Sequence, residues 1–145
     1  RRAAMVRVLA TGTFDILHPG HLLYLEEARK LGDELFVIVA RDATVKKYKR
    51  SPIIPEEQRL RMVAALKVVD KAMLGSEGDM YEPLYSIMPD IIALGYDQGF
   101  NEEALEKELR ERGFYSKVIR IKEHNSNAFC KAEAIINRIS KSAEE

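Results

Sequence analysis

A chain of 145 residues with 46% hydrophobic and 32% charged residues has the size and composition of one domain with a sizeable core, which excludes a disordered tail, a collagen-like fibre and a disulfide-stapled miniprotein. Twenty-three Lys and Arg balance twenty-three Asp and Glu, so no global field would hold the chain on nucleic acid or anionic lipid, and any anion site has to be local. No apolar run approaches the roughly 20 residues a membrane-spanning helix needs, the single Cys130 has no intramolecular disulfide partner, and the N-terminus lacks the apolar centre of a signal peptide, so the compartment is read as cytoplasmic.

Residues 1–4 precede Met5, a candidate start, and are set apart as a tag or an extended N-terminus; the domain is read over 5–141. A first strand is expected over 6–10, followed by a helix on which Leu22, Leu25 and Ala28 share a face and which ends near Gly32. The apolar run 35–40 is a second strand. Pro55, with Glu56 and Glu57 beside the positive end of the helix dipole, opens a helix running to about Leu66. Strands over 72–74 and 91–94 follow. Asn101 then caps a helix with Glu102 and Glu103 in its first turn, Leu105 and Leu109 on one face, and Gly113 at its stop. A last strand over 118–121 and a helix carrying Ala134, Ile135 and Ile139 complete the chain. Strands that are continuously apolar are buried on both faces, and their alternation with helices favours right-handed crossovers. The fold class is therefore α/β: a single-domain, doubly wound parallel sheet of Rossmann-like type. Ligands of such sheets gather outside the carboxyl ends of the strands, where the chemistry is to be sought.

Directly after the first strand, residues 11–21 pack two histidines, two threonines and two glycines into a strand-to-helix turn. Glycine lets backbone approach a ligand, and the amides at the following helix N-terminus suit a phosphate. His18 and His21, three apart at a helix start, can face the same oxygen atoms, with Thr11 or Thr13 adding a hydroxyl. The plainer alternative makes one histidine a helix cap and the other a surface residue. A zinc site is disfavoured, because Cys130 is far off in sequence and no clustered carboxylates complete a ligand set.

Gly12-Thr13-Phe14-Asp15 followed by His18-Pro19-Gly20-His21 resembles the signature of the cytidylyltransferase-like nucleotidyltransferases. The resemblance covers nearly the whole chain, since Leu31-Gly32-Asp33, Ala40-Arg41-Asp42, the basic run Lys46-Lys47-Tyr48-Lys49-Arg50, Pro55-Glu56-Glu57-Gln58-Arg59 and Gly95-Tyr96-Asp97 recur in the corresponding order. Within that superfamily, Ile53-Ile54 before Pro55 and Pro89-Asp90-Ile91-Ile92-Ala93-Leu94-Gly95 are most similar to the archaeal FAD synthetases, which are FMN adenylyltransferases. The resemblance implies that ATP and FMN become FAD and pyrophosphate, with a divalent cation, magnesium or another, assisting, and that the chain forms a homodimer.

It also implies roles. His18 and His21 stabilise the transferring phosphoryl group; Thr13, Phe14, Pro19, Gly20, Gly95 and Asp97 join them around the nucleotide, Asp97 at a sugar hydroxyl, with an ordinary turn carboxylate as the alternative. Lys46 and Arg59 are the candidate phosphate contacts, a solvated surface being the alternative for the basic run. Tyr48, Tyr96 and Phe100 are candidate stacking surfaces, although aromatics also serve as packing. In the loop after the fifth strand, Ser126 is a candidate for the pyrophosphate end of ATP and His124 a candidate ligand contact, an exposed loop histidine being the alternative. There the match weakens: glycerol-3-phosphate cytidylyltransferases carry an Arg-Thr-Glu-Gly-Ile-Ser-Thr type segment, whereas this chain has Lys122 near the Arg position and no Ser-Thr run. Cys130 is read as a small buried residue. Two rival functions stay open: a cytidylyl- or adenylyltransferase acting on a polyol phosphate or a lipopolysaccharide-precursor sugar phosphate, and a nucleotide-binding sensor without turnover. The paired histidines argue against the sensor.

Overall fold

The apolar runs pair side by side because the central ones are buried on both faces, and alternate residues of one strand enter different cores. The computed structural model describes residues 5–48, 50–124 and 131–144. In chain order the elements are β1 (Arg7–Gly12), α1 (Pro19–Arg29), β2 (Glu34–Val39), α2 (Asp42–Lys46), α3 (Glu56–Ala64), β3 (Lys71–Leu74), α4 (Leu84–Ile87), β4 (Ile91–Leu94), α5 (Glu102–Glu111), β5 (Lys117–Arg120) and α6 (Ala132–Glu144). The strands form one sheet in the order β3-β2-β1-β4-β5, every pair parallel. This is the doubly wound α/β fold expected from the sequence. Val8 and Ala10 of β1 point into a core with Leu25 and Ala28 of α1, Leu35 and Val37 of β2 and Val63 of α3. Leu9, between them, points to the opposite face and packs with Leu84 and Ile87 of α4, Ile92 and Leu94 of β4, Leu105 and Leu109 of α5 and Val118 of β5.

The elements differ from expectation at their ends. β1 continues to Gly12, and α1, capped by His18, runs from Pro19 to Arg29, short of the end expected near Gly32. The short helices α2 and α4 were not foreseen; five and four residues are too few to show a helical period. Gly113, at φ 91°, ends α5 in the left-handed conformation that a C-terminal glycine supplies.

The strand order reverses between β1 and β4, and there the sheet opens. The two strands pair as far as Ala10 opposite Ala93. Beyond that point the Tyr24 hydroxyl, delivered by α1, takes the place of the ladder: it accepts from the Thr11 amide at 3.2 Å and donates to the Ala93 carbonyl at 2.6 Å. Burial raises the Tyr24 pKa well above its ordinary value, keeping the donor protonated. The parted strand ends above it form the floor of a cleft.

Candidate active site

The cleft has a volume of about 770 Å³ and lies at the carboxyl ends of the strands, where doubly wound sheets bind their ligands. Of the residues picked from sequence, Thr13, Phe14, His18, Gly20, His21, Gly95, Asp97 and His124 line it, together with Tyr48, Tyr96, Gln98 and Arg50. Pro19 is exposed at the first position of α1 and does not line the cleft; it sets the helix start, where a missing N–H costs nothing. Ser126 and Cys130 lie outside the described residues.

His18 and His21 are locked as a pair. The Gly20 amide donates to His18 Nδ1 at 3.1 Å, and the His18 amide donates to His21 Nδ1 at 3.3 Å, a reciprocal cap on the first turn of α1. The rings stack with centroids 3.7 Å apart, and Phe14 lies tilted against His21 at 5.3 Å. Because each Nδ1 accepts, each neutral imidazole carries its proton on Nε2, leaving two N–H donors beside the helix N-terminus. Burial lowers the pKa of both; for His21 burial, helped by the neighbouring His18 and opposed by Asp15, brings it down to about 3. The pair is thus neutral at physiological pH and donates hydrogen bonds without net charge. The helix cap and a donor lining the cleft, which sequence left as alternatives, coexist in one imidazole.

The turn before them is built by close approach. Phe14 is buried at φ 56°, and a Cβ on Gly12 would fall 2.9 Å from its ring, so only glycine fits beneath it. Ile16 is also left-handed, at φ 51°, an expensive conformation for a β-branched residue. Between these two, the buried carboxylate of Asp15 accepts from the amides of Ile53 and Ile54, each at 2.9 Å, and from Arg50 Nη1 at 3.1 Å. Burial pushes its pKa up, but those three donors outweigh burial and hold it below the usual carboxylate value. Asp15 therefore pins the loop between α2 and α3 against the β1 turn.

Two phosphate candidates are corrected by this geometry. Arg59 is 1% exposed and does not line the cleft. Its guanidinium bonds the carbonyls of Ile54, Thr13 and Ala40 and the Asp42 carboxylate at 2.6 Å, so it braces the loops from beneath. Lys46 is exposed on α2, also outside the cleft; from the basic run, Tyr48 and Arg50 are the described residues that line it.

The sequence model of the cytidylyltransferase-like family matches residues 9–138, from within β1 into α6. The chain belongs to the cytidylyltransferase-like family. It is 61% identical over 135 residues to the FAD synthase of Archaeoglobus profundus, covering 93% of this chain and 86% of that protein. It is 58% identical over 140 residues to the FAD synthase of Methanothrix thermoacetophila, covering 97% of each. Among solved structures, a lipopolysaccharide core biosynthesis protein from Thermoplasma volcanium superposes with a TM-score of 0.81 at 50% identity, covering 83% of this chain and 99% of that one.

In this cytidylyltransferase-like chain, sequence reasoning missed the residues that hold the β4 side of the cleft. The Gly95 amide donates to Gln98 Oε1 at 2.8 Å, and Gln98 Nε2 reaches the Thr11 carbonyl at 3.3 Å, tying the two parted strand ends together. Arg120, at the end of β5, donates to the carbonyls of Gly95 at 2.8 Å and Gln98 at 2.5 Å, to that of Phe100, and to the Glu102 carboxylate. Tyr96 stacks on His124 with centroids 4.4 Å apart, closing the cleft's edge between the loops after β4 and β5. An arginine inside an apolar strand and a glutamine in a loop give no local signal of such roles. The positions of their partners across the sheet would have been needed.

Proposed function

We propose that the protein is an FMN adenylyltransferase, which joins AMP from ATP to FMN and releases FAD and pyrophosphate. The observation that carries this reading is the similarity of 58–61% to archaeal FAD synthases over at least 93% of the chain. The lipopolysaccharide-related structure is less similar, at 50%, so a sugar-phosphate or polyol-phosphate acceptor is not favoured, and a sensor would not need the paired donors.

The chemistry asks little covalent work of the protein. An oxygen of the FMN phosphate forms a bond to the α-phosphorus of ATP, and the bond from that phosphorus to the bridging oxygen of the β-phosphate breaks, its electron pair leaving with pyrophosphate. The attacking phosphate is already ionised, so no base is required, and catalysis comes from alignment and from donors placed where charge develops. His18 and His21 supply their Nε2 protons as hydrogen-bond donors to the α-phosphate oxygens as the phosphorus becomes pentacoordinate. Thr13, Gly20, Gly95 and Asp97 surround the nucleotide, with Asp97 toward a sugar hydroxyl and His124 at the edge of the cleft. Among the described residues no three His, Cys, Asp or Glu side chains gather into a cation site; a resident metal does not fit them, and a divalent cation enters with the triphosphate as part of the substrate.

The same proposal takes residues 5–141 as one catalytic domain working in the cytoplasm as a homodimer. No described helix is long and apolar enough to cross a membrane, and the exposed Tyr85, Met88 and Tyr115 offer apolar area to a second copy. Incubation with ATP or CTP and a panel of FMN, glycerol 3-phosphate and a sugar phosphate tests the activity. FAD and pyrophosphate from ATP and FMN are the expected products by chromatography; equal or faster turnover of CTP with a polyol phosphate overturns the reading.

A further inference from the structure

The cleft is more varied in its lining than one nucleotide requires. Ligand pockets run from roughly 300 to 1,000 Å³ for one drug-sized molecule, and this one, at about 770 Å³, sits high in that range. Its two sides differ in chemistry. The β4 side offers backbone groups and polar side chains at Gly95, Asp97 and Gln98, whereas the α2 side offers Val45, Tyr48 and Pro52, an apolar wall with one cation, Arg50, beside it.

Tyr48 is 81% exposed and stacks on no other ring among the described residues. A large aromatic left in water at the mouth of a cleft contributes little to the fold, and it gains burial only when something flat lies on it. Arg50 is held in place: both its bonds to described residues, to Asp15 at 3.1 Å and to the Ser51 carbonyl at 3.2 Å, run through Nη1. The rest of its guanidinium is open to an anion, and Asp15 fixes the loop that carries it.

We propose that this α2 side is the flavin subsite, the isoalloxazine lying on Tyr48 against Pro52 and Val45 while the phosphate of FMN meets Arg50. The assignment rests on the FMN reading above. In-line displacement requires the acceptor to approach the α-phosphorus on the side opposite the departing pyrophosphate, so the acceptor needs a place separate from the nucleotide. A flat apolar ring system joined to a phosphate matches both halves of this wall. Glycerol 3-phosphate would match Arg50 and leave Tyr48 and Pro52 without a partner.

Riboflavin, which has the ring and lacks the phosphate, separates the two halves. With the intact protein and ATP, riboflavin is expected to inhibit competitively against FMN. Tyr48→Ala raises KM for FMN about tenfold and weakens riboflavin inhibition in proportion, leaving KM for ATP within about twofold, while Tyr48→Phe, which keeps the ring, stays near wild type. Arg50→Ala raises KM for FMN and leaves riboflavin inhibition unchanged. The subsite is overturned if wild type makes FAD yet Tyr48→Ala leaves both flavins unaffected, or if the loss falls on ATP. Should wild type make no FAD at all, the FMN reading fails, and the subsite is then judged separately by titrating riboflavin fluorescence: quenching by wild type and not by Tyr48→Ala supports it, and equal behaviour of the two removes it.

Discussion

Replacing Tyr24 with Phe removes one oxygen and almost no volume, so its effect isolates the hydroxyl that bridges the parted strands. The substitution deletes the bond to the Ala93 carbonyl at 2.6 Å and the bond from the Thr11 amide at 3.2 Å. Each buried backbone group left unsatisfied costs about 1–3 kcal/mol. Tyr24 also lines the cleft, so water can reach part of this gap, and the expected loss is about 2 kcal/mol rather than the full sum. With a urea m-value of about 2 kcal/mol/M, typical of this size, the unfolding midpoint should fall by about 1 M. Thr11 and Gly95 both stand on the affected strand ends, so KM for ATP should rise several-fold while kcat changes less. Urea titration followed by circular dichroism, paired with steady-state kinetics, measures both. A midpoint shift under about 0.2 M together with an unchanged KM would refute the reasoning, because it would mean that the hydroxyl holds nothing that water and Gln98 do not hold already.

His21→Ala is expected to lower turnover by about a hundredfold at saturating ATP and FMN with far less change in ATP affinity, and His21→Asn, a neutral donor, to recover part of it; near-normal turnover in the Ala variant removes the proposed mechanism. The depressed pKa of His21 also predicts an acid sensitivity. The unfolded histidine takes up its proton near pH 6.5 while the folded one stays neutral until about pH 3, so stability present above pH 6.5 is lost as pH falls, by about 2 kcal/mol between pH 6.5 and 5. Urea midpoints across that range should slope in wild type and flatten in His21→Asn; identical slopes count against the shift. Arg59→Leu should destabilise by about 3 kcal/mol or more by leaving Asp42 and three carbonyls without their donor; a folded variant of wild-type stability with a raised KM for ATP would return Arg59 to the phosphates.

The central strands were legible because burial on both faces writes itself as apolar runs such as Leu35 to Val39 in β2 and Ile91 to Leu94 in β4. Helices α3 and α5 were legible because their acidic first turns and the Asn101 cap follow local rules. The two histidines were placed at a helix start without fixing which of them caps it, since histidine is not among the usual capping residues. Of the cleft's histidines and glycines, Gly12, His18, Gly20 and His21 could be found from one continuous stretch of chain. What could not be found depends on distance across the fold. Arg59 looks like any basic helix residue until three loops are seen to converge on it, and Arg120 looks like a strand residue until the loop after β4 folds back over it. The same limit hid Tyr24 and Gln98, which matter only because β1 and β4 part between them.

The double duty of His18 places a conflict between durability and chemistry on a single atom. Its Nδ1 starts helix α1, a task that aspartate or serine performs better in most helices and that also suits the helix dipole. A protein engineer selecting for thermostability would be drawn to that position, and His18→Asp would reward the selection. Under the proposed function, the gain would set a carboxylate against the phosphates of ATP and would remove one of the cleft's two imidazole donors. Selection for function must therefore keep a second-rate cap in place, and α1 cannot be optimised as a helix without ceasing to serve as the wall of this cleft.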